Sequence, residues 1–250
     1  MRTARELAFL GDPAVVADLG CGDGVLTAAL AARLPGVASW LLLDRDTDLV
    51  ARARQAVAAA TGAPVLAVTG DLAHAPLSRR LPGPALVVLA HSLYYVPGWA
   101  GVLDRLLTAP LPGGSVIAVV LRTTESASYR LRAAVRAARG QPTSAMVTGE
   151  MVEEWLTRRD VPFRTATIRS RVGRPLAFRD QAGLIRLLAD DDDLRNVLTL
   201  LCHADPWTLG YSLFAALSGM MHDGVLNLSL VDRVIVIPYR NQEETCPIWT

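Results

Sequence analysis

The sequence predicts an α/β fold: a doubly wound parallel sheet with helices on both faces and a helical cap inserted before the last strand. Three observations carry this. Short apolar runs alternate with longer Ala/Leu/Arg segments of helical period. The runs are apolar throughout rather than at every second residue, as strands buried on both faces are. The rhythm then breaks after residue 121, leaving one more apolar run near the end.

Taken in order, residues 14–19 read as a buried strand and 25–34 as a helix stopped by Pro35-Gly36. Residues 39–43 form a second strand, and 46–60 a helix closed by Gly62 and Pro64. A third strand at 65–68, a fourth at 85–90, a helix at 99–108 and a fifth strand at 115–121 complete the alternation. Beyond it come helices over 126–139 and 149–159 and a weak alternating strand signal over 163–172. A helical stretch of about 55 residues, 174–228, precedes the last apolar strand at 231–238. An insertion that long inside a compact domain is usually functional. The expected organisation is one domain over 1–250, with a core of 1–122 and 231–240 and a cap of about 123–160 and 174–230.

With 250 residues, 51% of them apolar and 20% charged, the chain is not a disordered tail, a coiled coil or a fibre. Its 25 basic residues are all Arg and are balanced by 24 carboxylates, so no overall field draws it to nucleic acid or anionic lipid. Its apolar runs fall far short of the ~20 residues of a membrane span. The first residues carry charge of both signs with no apolar core behind them, which is not the pattern of a signal peptide. Three cysteines, Cys21, Cys202 and Cys246, are an odd set in a chain able to bury a core. They point to a reduced cytoplasm. The expected partner is a small molecule, with no nucleic acid and no membrane; a homodimer is a candidate assembly.

The most informative segment is Asp18-Leu-Gly20-Cys21-Gly22-Asp-Gly24, a strand running into a Gly-rich turn that opens a helix. Glycines there let the backbone turn sharply at the carboxyl end of the first strand, where open α/β sheets bind ligands. In the dinucleotide pattern G-x-G-x-x-G the third glycine would fall at Val25, whereas here it falls one residue early, at Gly24. Asp18 would repel a pyrophosphate but suits a cationic ammonium or sulfonium. Both departures favour S-adenosylmethionine over NAD. Asp44, followed by Arg45, ends the second strand at the distance where an acid meets ribose hydroxyls. Asp71 follows the third strand, where it can accept from an adenine amino group while Leu72 packs beside the ring. Singly, Asp44 and Asp71 read as helix caps or turn residues; in order at three strand ends they read as one site. Ala90 and His91, at the end of the fourth strand, close it.

This set, over residues 14–121, resembles the class I S-adenosylmethionine-dependent methyltransferases. The resemblance implies a Rossmann-like sheet of seven strands with the last antiparallel between its neighbours, S-adenosylmethionine as cofactor and S-adenosylhomocysteine as product. That family adds a short helix before the first strand, while only about a dozen residues precede Ala14 here.

After the fourth strand comes His91-Ser-Leu-Tyr94-Tyr95. Methyl transfer is an in-line displacement that needs an aligned nucleophile able to lose its proton. His91 is placed for that proton as base or orienter, and Tyr94 and Tyr95 can cage a cationic amine or sulfonium. The competing reading makes the tyrosines core aromatics and His91 an orienter only. The family's nucleobase and glutamine N-methyltransferases carry Asn or Asp before Pro-Pro-aromatic here, which this tract is not. The Leu-Tyr-Tyr-Val tract instead resembles histamine N-methyltransferase-like enzymes, and that resemblance implies that His91, Tyr94 and Tyr95 line the acceptor pocket.

Elsewhere, Cys202-His203-Ala-Asp205 and His222-Asp223 lack the spacing of a zinc site and fit helix ends, so no metal is expected. Residues 190–193, all Asp, fit a solvated helix start, and Arg132, Arg136 and Arg139 the wet face of an amphipathic helix or a dock for an acidic carrier domain or a phosphorylated substrate. Trp155 fits packing, and Trp207 in the insertion is a candidate acceptor contact. The expected function is methylation of a small molecule, at nitrogen, in specialised metabolism. O- or C-methylation, an RNA or carrier-bound substrate, and a non-catalytic cofactor-binding regulator remain as alternatives.

Overall fold

A computed structural model describes residues 2–74, 81–141, 146–176, 178–202, 204–223 and 225–239. Cys246 and His203 lie outside them. The chain forms a seven-stranded sheet in the order β3-β2-β1-β4-β5-β7-β6, with the last strand of the chain antiparallel. The strands are β1 Val15–Leu19, β2 Ser39–Asp44, β3 Val65–Thr69, β4 Ala85–Ala90, β5 Val116–Arg122, β6 Arg164–Leu176 and β7 Leu226–Pro238. The chain divides into two compact units: Met1–Leu121, Met151–Ala166 and Arg233–Thr250 in one, Arg122–Glu150 and Thr167–Asp232 in the other.

In the first unit β1 is the centre. Every residue of β1 is buried, and it pairs in parallel with β2 on one side and β4 on the other, so that Asp18 lies opposite Leu42 and Val88. Parallel strands need crossover helices, supplied by α2 Val25–Ala31 and α3 Thr47–Ala60 between β1, β2 and β3. Asp46 caps α3 by accepting from the N–H groups of Asp48 and Leu49, while Val50, Ala53 and Val57 form its buried stripe. Ahead of β1 stands α1 Arg2–Ala8, with Ala4 and Leu7 buried. The dozen residues before Ala14 thus include a helix, a feature the sequence reading did not expect.

Helix α4 Trp99–Thr108 precedes β5, and α6 Gly149–Arg158, expected in the cap, groups with the sheet unit apart from its first two residues. Trp155, 6% exposed, meets Trp99 edge-on at 5.9 Å. Arg159 lies 4.2 Å over the Trp155 ring and donates to both carboxylate oxygens of Asp104 at 3.2 Å. The side chains of the ion pair are about half exposed, so it contributes little by itself. Together with the cation–π contact, we expect Arg159→Ala to cost about 1–2 kcal/mol, read as a lower urea midpoint with unchanged slope.

The second unit holds the helices α5 Ala127–Ala138, α7 Gln181–Asp190, α8 Asp192–Cys202 and α9 Pro206–Ser218. They share their own core of Leu131, Val135, Leu184, Leu188, Leu198, Leu201, Leu213 and Leu217. The expected cap boundaries need correction: β6 runs to Leu176 and β7 begins at Leu226, so the helical insertion is shorter than 174–230. An edge strand with a charged alternating pattern gives a weak signal, which is why β6 read short. Arg132 and Arg136 are half-buried and Arg139 is exposed, so the expected wet face is wet in part. Arg132 Nε donates to the Leu201 carbonyl at 2.8 Å and Arg139 Nη2 to the Thr208 carbonyl at 3.0 Å. Asp191 accepts from the Leu194 N–H at 3.0 Å, capping α8.

Candidate active site

The residues expected to form the site stand at the carboxyl ends of β3, β2, β1 and β4, four adjacent parallel strands. After Leu19 the chain enters the left-handed region at Gly20 (φ 86°), Gly22 (φ 54°) and Gly24 (φ 79°). The Gly20 and Cys21 N–H groups both donate to the Leu43 carbonyl, at 2.7 and 3.0 Å, which pins the turn to β2. A Cβ on Gly20 would stand 2.3 Å from Ser92 Cβ, and one on Gly24 would stand 2.5 Å from Ala53 Cα. A Cβ on Gly22, in contrast, would meet no other described residue within 4 Å. The outer glycines are spent on packing, and Gly22 is where the turn is open.

Two carboxylates serve this turn differently. Asp44 is half-buried; its Oδ2 accepts from the Gly22 N–H at 2.9 Å and its Oδ1 from the Asp46 N–H at 3.1 Å. Each oxygen has lone-pair capacity left for a hydroxyl. Asp18 is 2% exposed. Its Oδ2 accepts from Thr27 Oγ1 on α2, and its Oδ1 is buried with no partner among the described residues. Burial pushes its carboxyl from 3.8 up to about 6; the Thr27 hydroxyl opposes this and nearby Asp44 adds to it. A buried carboxylate oxygen without a donor is costly, so this one fits a ligand that brings a cationic donor. An S-adenosylmethionine ammonium meets that requirement. Cys21, also buried, has its thiol pushed up to about 12 by burial, with Asp18 and Asp44 adding, so it stays neutral.

Asp71 is exposed and caps the turn Leu72–His74, accepting from the Ala73 N–H at 2.9 Å, with its other oxygen 3.3 Å from His74 Nδ1. The Ala73 bond comes first in holding its carboxyl below the usual range, with lesser help from His74 and Arg45. The turn-cap role is therefore real, and a second role toward adenine stays an expectation. Leu72 is 8% exposed.

At the end of β4, Ala90 is half-buried and His91 adopts φ 58°, with its N–H bonded to the Val120 carbonyl at 2.9 Å. A non-glycine residue held there is uncommon and marks a constrained corner. His91 Nδ1 lies 3.2 Å from the Tyr94 hydroxyl, and the two rings stack at 5.8 Å. Tyr95, 49% exposed, meets Tyr94 edge-on at 6.3 Å, and the Arg45 guanidinium sits 5.8 Å over the Tyr95 ring. Arg45 thus joins the β2 end to the His91 corner.

Trp207 stands in the first turn of α9, in the helical unit, 44% exposed. Asp205 caps that helix by accepting from the Trp207 N–H at 3.1 Å. Among the described residues no group of three or more His, Cys, Asp or Glu is arranged for a metal, and no helix is long and apolar enough to cross a membrane. Sequence reading missed Thr27 and Ser92. Thr27 follows Asp18 by nine residues on the next helix, and Ser92 is a small polar residue in an apolar tract; neither carries a spacing signal.

Residues 16–114 match the methyltransferase domain family. Among curated proteins the chain is similar to the trans-aconitate 2-methyltransferase of Mycobacterium ulcerans, 35% identical over 174 residues, covering 68% of this chain and 53% of the relative. The chain thus spans about half the length of the curated relatives it matches. Among solved structures it resembles a SAM-dependent methyltransferase from Geobacter sulfurreducens in complex with S-adenosyl-L-homocysteine, with TM-score 0.55, 16% identity and coverage of 95% of this chain and 90% of that one. The YcgJ protein of Bacillus subtilis gives TM-score 0.58 at 13% identity, covering 96% and 100%. These likenesses at low identity speak to the fold. Residues 16–114 are a methyltransferase domain, carried in the fold of the class I S-adenosylmethionine-dependent methyltransferases.

Proposed function

We propose that the protein transfers a methyl group from S-adenosylmethionine to a small-molecule acceptor. The observation that carries this is the buried, unpartnered Asp18 Oδ1 beside the open Gly22. Asp18 accepts from the cofactor's ammonium, Asp44 from ribose hydroxyls, and Asp71 and Leu72 hold the adenine edge and face. When bound, the cofactor supplies an electrophilic methyl on a sulfonium. His91, oriented by the Tyr94 hydroxyl, takes the proton that an amine acceptor must lose, and Tyr94 and Tyr95 shape its approach. Trp207 is kept as a candidate acceptor contact, tested separately by Trp207→Ala. The expectation of N-methylation in specialised metabolism belongs to this proposal.

A second reading has a specific observation behind it: the matched relatives are named for trans-aconitate, a polycarboxylate. A carboxylate acceptor is already ionised and loses no proton, and Arg45 is the cation at this corner. The two readings separate in one experiment. The protein is incubated with S-adenosylmethionine and pooled amines, phenols and carboxylic acids, and methyl gain is read by mass spectrometry. An amine acceptor predicts gain at nitrogen and an about 10²- to 10³-fold fall in kcat for His91→Ala. Gain confined to carboxylic acids, with His91→Ala near full activity, would replace nitrogen by oxygen, and no gain on any compound would contradict transfer to these small-molecule classes.

A further inference from the structure

We infer that the Ser92 hydroxyl is a second contact for the amino-acid end of the cofactor, opposite in character to Asp18; this rests on the cofactor reading above. Ser92 is 8% exposed, and its Oγ has no hydrogen-bond partner among the described residues. It presses against the glycine turn: its Cβ lies 2.3 Å, and its Oγ 3.2 Å, from where a Gly20 Cβ would be. The absence of a side chain at Gly20 is thus what admits Ser92. Alanine would fill the same space without burying a hydroxyl, so packing alone does not account for the oxygen.

Asp18 lies two residues before Gly20, and Ser92 two residues after the end of β4, the parallel neighbour of β1. Two buried polar atoms without partners among the described residues therefore stand at adjoining strand ends beside one turn. Their chemistries are complementary. A carboxylate only accepts, and suits an ammonium; a hydroxyl can donate, and suits a carboxylate. Together they match a zwitterionic amino-acid group, with the Ser92 O–H donating to a carboxylate oxygen and Asp18 Oδ1 accepting from the ammonium.

The test compares two ligands on two proteins. S-adenosylhomocysteine carries the amino-acid end, and 5′-methylthioadenosine lacks it. Ser92→Ala keeps the Cβ that packs on Gly20 and removes only the oxygen. By calorimetry, Ser92→Ala is expected to bind S-adenosylhomocysteine about tenfold more weakly, the loss of one hydrogen bond to a charged group. Its affinity for 5′-methylthioadenosine is expected to be unchanged, and its thermal midpoint no lower than that of the unaltered protein. Unchanged S-adenosylhomocysteine affinity, or an equal loss for both ligands, overturns the inference alone. Failure of the unaltered protein to bind S-adenosylhomocysteine overturns the cofactor reading and the inference with it.

Discussion

Asp18→Asn is expected to make the ligand-free protein more stable while weakening cofactor binding by more than about tenfold. The carboxylate is 2% exposed, and one oxygen has no donor among the described residues, so the Thr27 hydroxyl compensates its charge only in part at neutral pH. Burial is the main cause of its rise from 3.8 to about 6, which corresponds to roughly 3 kcal/mol of instability above that pH. Asparagine keeps an acceptor for the Thr27 hydroxyl and removes the charge, so a gain of about 1–3 kcal/mol is expected by denaturant titration at pH 7.5. The sign of the pH dependence follows. The folded state holds the Asp18 proton more tightly than the unfolded chain, so this residue's contribution to stability falls as pH rises from about 4 through about 6, then levels off. In Asp18→Asn that slope disappears. The ammonium needs the ionised carboxylate, so affinity for S-adenosylhomocysteine moves the opposite way and rises through the same window.

The second large effect separates glycines that look alike in the sequence. Gly24→Ala places a Cβ 2.5 Å from Ala53 Cα on α3, at φ 79°. The contact is with backbone, so a helix must shift, and the strained conformation adds its own penalty. The expected loss is about 2–5 kcal/mol. Gly22→Ala meets nothing within 4 Å, and only its φ of 54° is unfavourable, for about 1–2 kcal/mol. Binding reverses the order. Gly22→Ala fills the open side of the turn and is expected to lose S-adenosylhomocysteine affinity out of proportion to its small stability change. Denaturation and calorimetry on both variants check this, and equal stability losses would mean that the turn does not pack on α3 as described.

The sheet and the glycine turn were legible because buried parallel strands are short uniform apolar runs, and because Asp18, Asp44 and Asp71 recur at successive strand ends. The polar detail was less legible. Asp44 binds the turn backbone itself, and Asp71 caps its own turn, so local hydrogen bonding shares both carboxylates with any ligand. Thr27 and Ser92 act through tertiary neighbours at no fixed spacing. Along α5, the i, i+4, i+7 arginines mark a face that is solvated in part, since periodicity reports which face a residue occupies and not how far a long side chain reaches. Arg132 and Arg139 span to backbone carbonyls of the neighbouring helices. The edge strand β6 was under-read because one partner strand leaves its outer edge charged and weakly patterned.

The most direct test of the account is calorimetric titration of S-adenosylhomocysteine into the unaltered protein and Asp18→Asn from pH 5 to pH 8. Binding by the unaltered protein is expected to tighten as pH rises through about 6, and binding by the variant to be weak and independent of pH. Equal affinity in both proteins, flat across that range, would contradict the assignment of Asp18 and the open glycine turn as the cofactor site.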